Sequence, residues 1–293
     1  MKCLPPEKAF LGLEPQKVVP YEKAKAVIIP FGLERSVSYG GGTAQGPAAM
    51  IEASFEVELF DEALWCEPYC DIGIVTLEEP KIEADMQSAL KQLETLVQQV
   101  LDDEKFPFVF GGEHSITAGS IRPFVNAYDN LAILHFDAHA DLRDGYEGEH
   151  YSHASAIRRC LDYPSVEVIS VGIRNISAEE IPFFEANRNR IHIYWAKDKK
   201  TWDINEIIAP LKNRPIYLTF DLDGFDASLM PATGTPEPGG LFWNDAQEII
   251  TAAGQVGTIV GADINELAPI PGFHSCDFLA AKLAYKILSS AFK

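Results

Sequence analysis

The residues best suited to chemistry sit in Asp137-Ala138-His139-Ala140-Asp141. In an extended chain alternate side chains share one side, so Asp137, His139 and Asp141 converge while the two alanines pack behind them. Carboxylates and an imidazole spaced this way form a comb of divalent-metal ligands. A second acidic pair, Asp221-Leu222-Asp223, leads into Gly224, Pro231, Gly234, Pro236, Gly239 and Gly240, a composition that shapes a loop rather than a helix. A third segment, Gly111-Gly112-Glu113-His114-Ser115, reads as a tight turn between a strand and a helix. Its glycines allow close backbone approach or positive φ. His114 can then point into the site, and Glu113 either supports the ligands or favours the helix N-terminus.

These segments supply four Asp and two His: His114, Asp137, His139, Asp141, Asp221 and Asp223. A donor set rich in carboxylate with some imidazole suits Mn2+ or a similarly hard ion. Six ligands are too many for one tetrahedral zinc. They suit two ions bridged by carboxylates at roughly 3.5–4 Å, a pair that makes hydroxide available from water at neutral pH. No thiolate joins the set. Cys3, Cys66, Cys70, Cys160 and Cys276 are scattered, and the C-x3-C pair at 66 and 70 has no second ligand pair beside it. They read as reduced thiols in a reducing compartment.

Such residues must be held by a scaffold. Short apolar runs predict strands at Ala26–Ile29, Ile72–Val75, Phe106–Phe110, Leu131–Phe136, Val166–Val171, Ile191–Trp195, Ile216–Phe220 and Thr258–Ala262. Between them, helical periodicity marks Glu83–Asp102, with Leu90, Leu93, Val97, Val100 and Leu101 on one face. Further helices are expected over Ser115–Asn126, Ala178–Asn187, Asn205–Leu211, Asn244–Gln255 and Ser275–Phe292. Strands alternating with helices predict an α/β fold with one doubly wound, mostly parallel sheet and helices on both faces. No linker or repeat interrupts the pattern, so residues 1–293 are expected to form a single domain. Each ligand segment directly follows a strand, and open parallel sheets bind ligands beyond the carboxyl ends of their strands.

Composition narrows the function. The net charge of −19 argues against nucleic-acid binding and would steer a small cationic substrate inward. No apolar run reaches the length of a membrane span, and the first residues carry no apolar signal core, so a cytoplasmic protein that binds no membrane is expected.

The segments GGEHS, DAHAD and FDLDGFDASLMPATGTPEPGG, in this order and separation, resemble the metal signatures of the ureohydrolases, that is, arginases, agmatinases and their relatives. The resemblance runs from about Gly40 to the end and includes Gly40–Ser54, similar to the family's N-terminal loop and helix. It implies an arginase-like three-layer fold, two Mn2+ per subunit, and a trimer or hexamer. One ion would be held by His114, Asp137, Asp141 and Asp221, the other by Asp137, His139, Asp221 and Asp223. It implies hydrolysis of a guanidino group to urea and an amine, with three catalytic residues. Glu266, in Asp263-Ile264-Asn265-Glu266, would pair with the substrate guanidinium. Asp141 would pass a proton to the leaving amine. His153 would exchange protons with solvent. Many relatives have Gly after that histidine where this chain has Ala154, and His150 is a rival for the shuttle.

Arginases carry an Asn shortly after the acidic comb. Here Leu142-Arg143-Asp144-Gly145-Tyr146-Glu147-Gly148 is more similar to agmatinases, which implies agmatine as substrate and putrescine as product. N1-aminopropylagmatine, arginine, guanidinobutyrate, guanidinopropionate and free guanidine are the alternatives. Glu147, Glu149 and Glu237 are candidates to face a distal ammonium. Outside this activity stand a mononuclear-zinc amide deacetylase, hydrolysis of a formimino group, and a metal-binding protein without catalysis. His135, His192 and His274 are given no role.

Overall fold

The computed structural model describes residues 1–293. Eight strands are present: β1 (Ala26–Phe31), β2 (Ile74–Thr76), β3 (Phe106–Gly111), β4 (Ala132–Phe136), β5 (Glu167–Ile173), β6 (Ile191–Trp195), β7 (Pro215–Asp221) and β8 (Thr258–Asn265). They form one sheet in the order β2-β1-β3-β8-β7-β4-β5-β6, and every neighbouring pair is parallel.

Alternation within the strands explains the layers. In β1, Ala26 and Ile28 enter one apolar core while Val27, Ile29 and Phe31 enter the other. Both faces must therefore be covered, as in parallel sheets generally. Helices Gly46–Ala53, Trp243–Val256 and Ser275–Ala291 contribute to the first core, and Met86–Asp102 to the second. The last of these begins where the Asp85 carboxylate accepts the Ser88 N–H at 2.9 Å, an N-cap, and it buries Leu90, Leu93, Val97 and Val100 completely.

All eight expected strands are present, with one displaced. The run Ile72–Val75 starts its strand at Ile74, because Tyr69–Ile72 coils into a short helix that ends at Gly73 with φ 61°. The helix expected over Ser115–Asn126 is broken into a 3-10 turn His114–Ile116 and helices Thr117–Ser120 and Arg122–Ala127. Pro123 has no N–H to continue the helical ladder there. No helix is long and apolar enough to cross a membrane.

The strand order leaves a gap that the chain fills late. After β3 the chain passes over two positions to β4, and β8 and β7 then enter between them. Such a switch point opens a crevice at the carboxyl ends of the strands. The four strands around it, β3, β8, β7 and β4, end at or shortly before His114, Glu266, Asp221 and Asp137.

Candidate metal centre and active site

Register sets the floor of the site. His135 of β4 pairs with Thr219 of β7, which pairs with Asp263 of β8. These three make a polar row across an otherwise apolar layer, all fully buried. One strand period further on lie Asp137, Asp221 and Asn265, with Asp221 paired to Asn265. Glycine lets the rim close over this floor. A Cβ at Gly111 would stand 2.0 Å from Asn265 Oδ1, and one at Gly224 would stand 2.8 Å from the Asp137 nitrogen.

His114 drops into the acids from the turn after β3. Its Nδ1 lies 3.1 Å from Asp137 Oδ2, 3.0 Å from Asp141 Oδ2 and 3.4 Å from Asp221 Oδ2. Its Nε2 lies 2.9 Å from Thr219 Oγ1, whose own proton goes to Asp263 Oδ1 at 2.6 Å. Thr219 must then accept from Nε2–H, so that in the neutral ring, the form that binds a cation, the Nδ1 lone pair is aimed at the carboxylates. Asp263 is anchored in turn by Tyr217 (2.6 Å), Thr117 (3.0 Å) and Asn265 (2.6 Å).

His139 completes a second group, with Nδ1 3.0 Å from Asp223 Oδ2 and 3.4 Å from Asp137 Oδ1. The loops fix these acids through main-chain donors. Asp137 Oδ1 accepts the His139 N–H at 2.6 Å, Asp223 Oδ1 accepts that of Ala138 at 3.0 Å, and Asp221 Oδ1 accepts that of Asp223 at 2.9 Å. The extended comb ends at Asp141, whose φ of 51° is left-handed. Glu266 is left-handed too, at 67°. Strain of this kind, about 1–3 kcal/mol for a residue with a Cβ, is found where function holds it in place.

The electrostatics call for positive charge. Burial and then the neighbouring Asp223 and Asp137 raise Asp221 well above the carboxylate range, and burial and then Asp137 push Asp141 up to about 7. Burial alone would lower both histidines. For His114, the close carboxylates of Asp137 and Asp141 together outweigh it and hold the ring well above its ordinary value; for His139, Asp223 and Asp137 carry it up to about 12. His114 Nδ1 is buried with no hydrogen-bond partner. Two clusters of ligand atoms, each within 4.8 Å, share Asp137: one holds His114 and His135 with it, the other His139 and Asp223. An orphaned imidazole nitrogen among crowded carboxylates, with one acid common to both clusters, fits a pair of hard divalent cations.

Comparison with known proteins gives the family. Residues 24–289 match the Arginase family. The chain belongs to the arginase family. It is 36% identical to the N(1)-aminopropylagmatine ureohydrolase of Synechocystis sp., covering 94% of this chain and 92% of that one. It is 34% identical to the agmatinase of Bacillus cereus, covering 90% and 89%. The agmatine ureohydrolase of Thermoplasma volcanium superposes with a TM-score of 0.85 at 30% identity, covering 97% of this chain and 94% of that one. A ureohydrolase fold, and a hydrolase of this family, are what the sequence led us to expect.

In this arginase-family chain a cavity of about 310 Å3 opens above the acids and is lined by His114, His139, Asp141, Asp221, Asp223 and Glu266. Glu266 Oε1 accepts the His114 N–H at 2.6 Å, while Oε2 lies on the side of Gly234, which also lines the cavity. Burial, then the charge of Glu113, raises the Glu266 carboxyl. His153 lines the cavity and stands edge-on to Tyr146 at 5.9 Å. Its rival His150 is absent from the lining and is instead engaged by Arg159, which also binds Asp144 at 2.6 Å.

Other residues were not foreseen. His135 is buried under the site, with Nε2 2.8 Å from Asp137 Oδ2 and Nδ1 2.9 Å from Ser170 Oγ. The signal was available, since i and i+2 share a strand face. Arg174 grips the loop after β7, giving Nη2 to the carbonyls of Asp223 (2.7 Å), Phe225 (3.1 Å) and Glu237 (2.9 Å) and Nη1 to that of Gly172 (2.9 Å). Glu147, Glu149 and Glu237 do not line the cavity; Arg143, Ser177 and Glu180 do. Glu180 is spoken for by the N–H groups of Leu142 (2.8 Å) and Ser177 (2.6 Å).

Proposed function

We propose that this chain is a two-manganese ureohydrolase that cleaves a guanidino group to urea and an amine, with agmatine as its substrate and putrescine as the product. The observation that carries the reading is the orphaned His114 Nδ1 among Asp137, Asp141 and Asp221, next to a second group that shares Asp137. His114, Asp137, Asp141 and Asp221 would hold one ion, and Asp137, His139, Asp221 and Asp223 the other. Two such ions balance the charge of the four carboxylates and, when bound, acidify water to give a nucleophile at neutral pH.

The chain's own residues do the rest. Glu266 keeps one oxygen on the His114 N–H and offers the other to the guanidinium, a charge-assisted pairing that fixes the planar group over the acids. Asp141, facing the same space, passes a proton to the departing amine. His153, at the wall of the cavity, exchanges protons between the site and solvent. The cavity suits a short alkyl chain, and Glu180, the wall carboxylate outside this machinery, already has both oxygens bonded. A second substrate reading, N1-aminopropylagmatine, is favoured by the identity to the Synechocystis enzyme. We take residues 1–293 as one catalytic domain of a cytoplasmic homo-oligomer, a trimer or hexamer, that binds neither nucleic acid nor membrane.

Urea release by the Mn2+-loaded protein, measured across agmatine, N1-aminopropylagmatine, arginine, guanidinobutyrate, guanidinopropionate and guanidine, tests the reading. A preference for agmatine supports it. A preference for the longer polyamine moves the assignment to the second substrate. No urea from any of them, with metal bound, overturns it and turns attention to formimino or amide substrates.

A further inference from the structure

His153 is held from behind. Its main-chain N–H donates to the Ser36 hydroxyl oxygen at 2.9 Å, and its ring Nδ1 lies 3.2 Å from the same atom. That oxygen is also 2.8 Å from Glu113 Oε1. Four donors surround the Glu113 carboxylate: the N–H groups of Arg35 and Ser36 on Oε2, at 2.6 Å each, and the hydroxyls of Ser36 and Ser115 on Oε1. This is the pattern of an ionised carboxylate, which only accepts.

Proton counting then leaves one arrangement. Ser36 has a single hydroxyl proton, and it goes to Glu113. The Ser36 oxygen must accept from both His153 groups, so the ring nitrogen facing it is Nδ1–H. The lone pair of the neutral imidazole is therefore on Nε2, the nitrogen left for the cavity. We propose that Ser36, anchored by Glu113, is a positioning residue that fixes His153 in the Nδ1–H form with Nε2 ready to take a proton. This rests on the reading of His153 as the proton-transfer group. It also gives Glu113, fully buried beside the metal ligands, a task that metal binding does not explain.

The charges facing His153 come from several elements. Glu113 and His114 approach from the turn after β3, and His139 from the end of β4. Arg143 stacks on Tyr146 at 5.2 Å, and Tyr146 meets the His153 ring. A change of the Ser36 hydroxyl leaves His114, His139, Arg143 and Tyr146 untouched, and Glu113 keeps the Arg35 and Ser36 N–H groups and the Ser115 hydroxyl.

The test compares Ser36→Ala and Ser36→Thr in the full-length Mn2+-loaded protein. The kcat and KM for agmatine are measured across the neutral pH range, with bound metal quantified. The titration of His153 is read independently from exchange of its ring C2 proton, resolved by residue with mass spectrometry. Alanine should lower kcat by roughly 10–100-fold, the usual cost of losing an outer hydrogen-bond partner, with KM and metal content unchanged. It should also move the His153 titration to lower pH, because the imidazolium loses a stronger hydrogen bond than the neutral ring does. Threonine, which keeps the hydroxyl, should restore both. An alanine variant with parental kcat and His153 titration overturns the proposal. So does one that loses metal or fold and is not rescued by threonine, since Ser36 would then be only a structural anchor. Undiminished kcat in His153→Ala would instead sink the proton-transfer reading, while the exchange measurement still decides whether Ser36 governs the ring.

Discussion

Replacing Thr219 by valine keeps the outline of the side chain and removes one hydroxyl. Two hydrogen bonds go with it, from His114 Nε2 at 2.9 Å and to Asp263 Oδ1 at 2.6 Å. Asp263 keeps Tyr217, Thr117 and Asn265, so its loss is shared. His114 has no substitute acceptor for Nε2–H, and a buried polar group left unpaired costs about 1–3 kcal/mol. The metal-free variant should be less stable by that amount. A second effect follows from the tautomer. With Thr219 gone, nothing favours Nε2–H over Nδ1–H, and a proton on Nδ1 occupies the direction in which a cation must bind. Loss of such an outer partner lowers metal affinity by roughly 10–100-fold. With tenfold equal to about 1.4 kcal/mol, that is about 1.4–2.8 kcal/mol. Linkage requires the stabilisation gained on adding Mn2+ in excess to shrink by the same amount. Urea unfolding with and without Mn2+, alongside calorimetric titration of the metal-free protein, measures both quantities. Thr219→Ser, which keeps the hydroxyl, should behave like the parent. A valine variant that is destabilised yet binds Mn2+ as tightly as the parent would refute the claim that Thr219 aims His114.

Asp137→Ala removes the acid common to both ligand groups; bound metal and urea release should fall together, and parental rates would sink the two-metal reading. Glu266→Gln keeps an acceptor for the His114 N–H and loses the charge offered to guanidinium, so kcat should drop roughly 100–1,000-fold, with bound metal unchanged by elemental analysis. Lys286 lies 3.1 Å from Asp61 Oδ1 in a buried ion pair. Lys286→Met removes the cation but leaves Asp61 Oδ1 the N–H groups of Ala63 (2.9 Å) and Leu64 (3.1 Å), so it should cost about 1–3 kcal/mol in denaturant unfolding. Burial raises the Asp61 carboxyl, but the hydrogen bond and charge of Lys286, together with the Leu64 and Ala63 N–H groups, outweigh it and hold the group below its ordinary value. The pair's contribution is therefore complete above about pH 4, the ordinary carboxylate value, and fades as pH falls through the depressed one. In Lys286→Met, acid unfolding should lose this component, and an unchanged acid limb would count against the pair.

The sheet was legible because β-branched and aromatic runs buried on both faces leave little else for those segments to be, as Ala26–Phe31 shows. The convergence of the candidate ligands was legible for a related reason: charged groups placed directly after such runs have nowhere to go but the rim. His135 was not. Its neighbours mark it as a strand residue, and its contact with Asp137 appears only when the period-two geometry is carried past the end of β4. The Asp141 turn was hidden as well, since a left-handed φ at a non-glycine residue is imposed by tertiary contacts and leaves no local trace. The acids Glu147, Glu149 and Glu237 looked apt for a distal ammonium by charge alone. Loop conformation decides direction, and the cavity wall received Arg143 and the already bonded Glu180 instead. The Ser36–Glu113 link joins segments 77 positions apart, beyond the reach of any local pattern.

Arg174 holds the loop after β7 by peptide oxygens, with no hydrogen bond or ion pair to its side chains. An anchor of that kind is indifferent to the identity of the residues it secures. Substitutions on either side of Thr235 can therefore accumulate without dislodging Asp223, whose carbonyl is in the same grip; Thr235 itself, whose hydroxyl donates to Asp223 Oδ2 at 3.4 Å, is the exception. Along this stretch, ancestry can rewrite what enters the cavity while leaving untouched what happens at its floor.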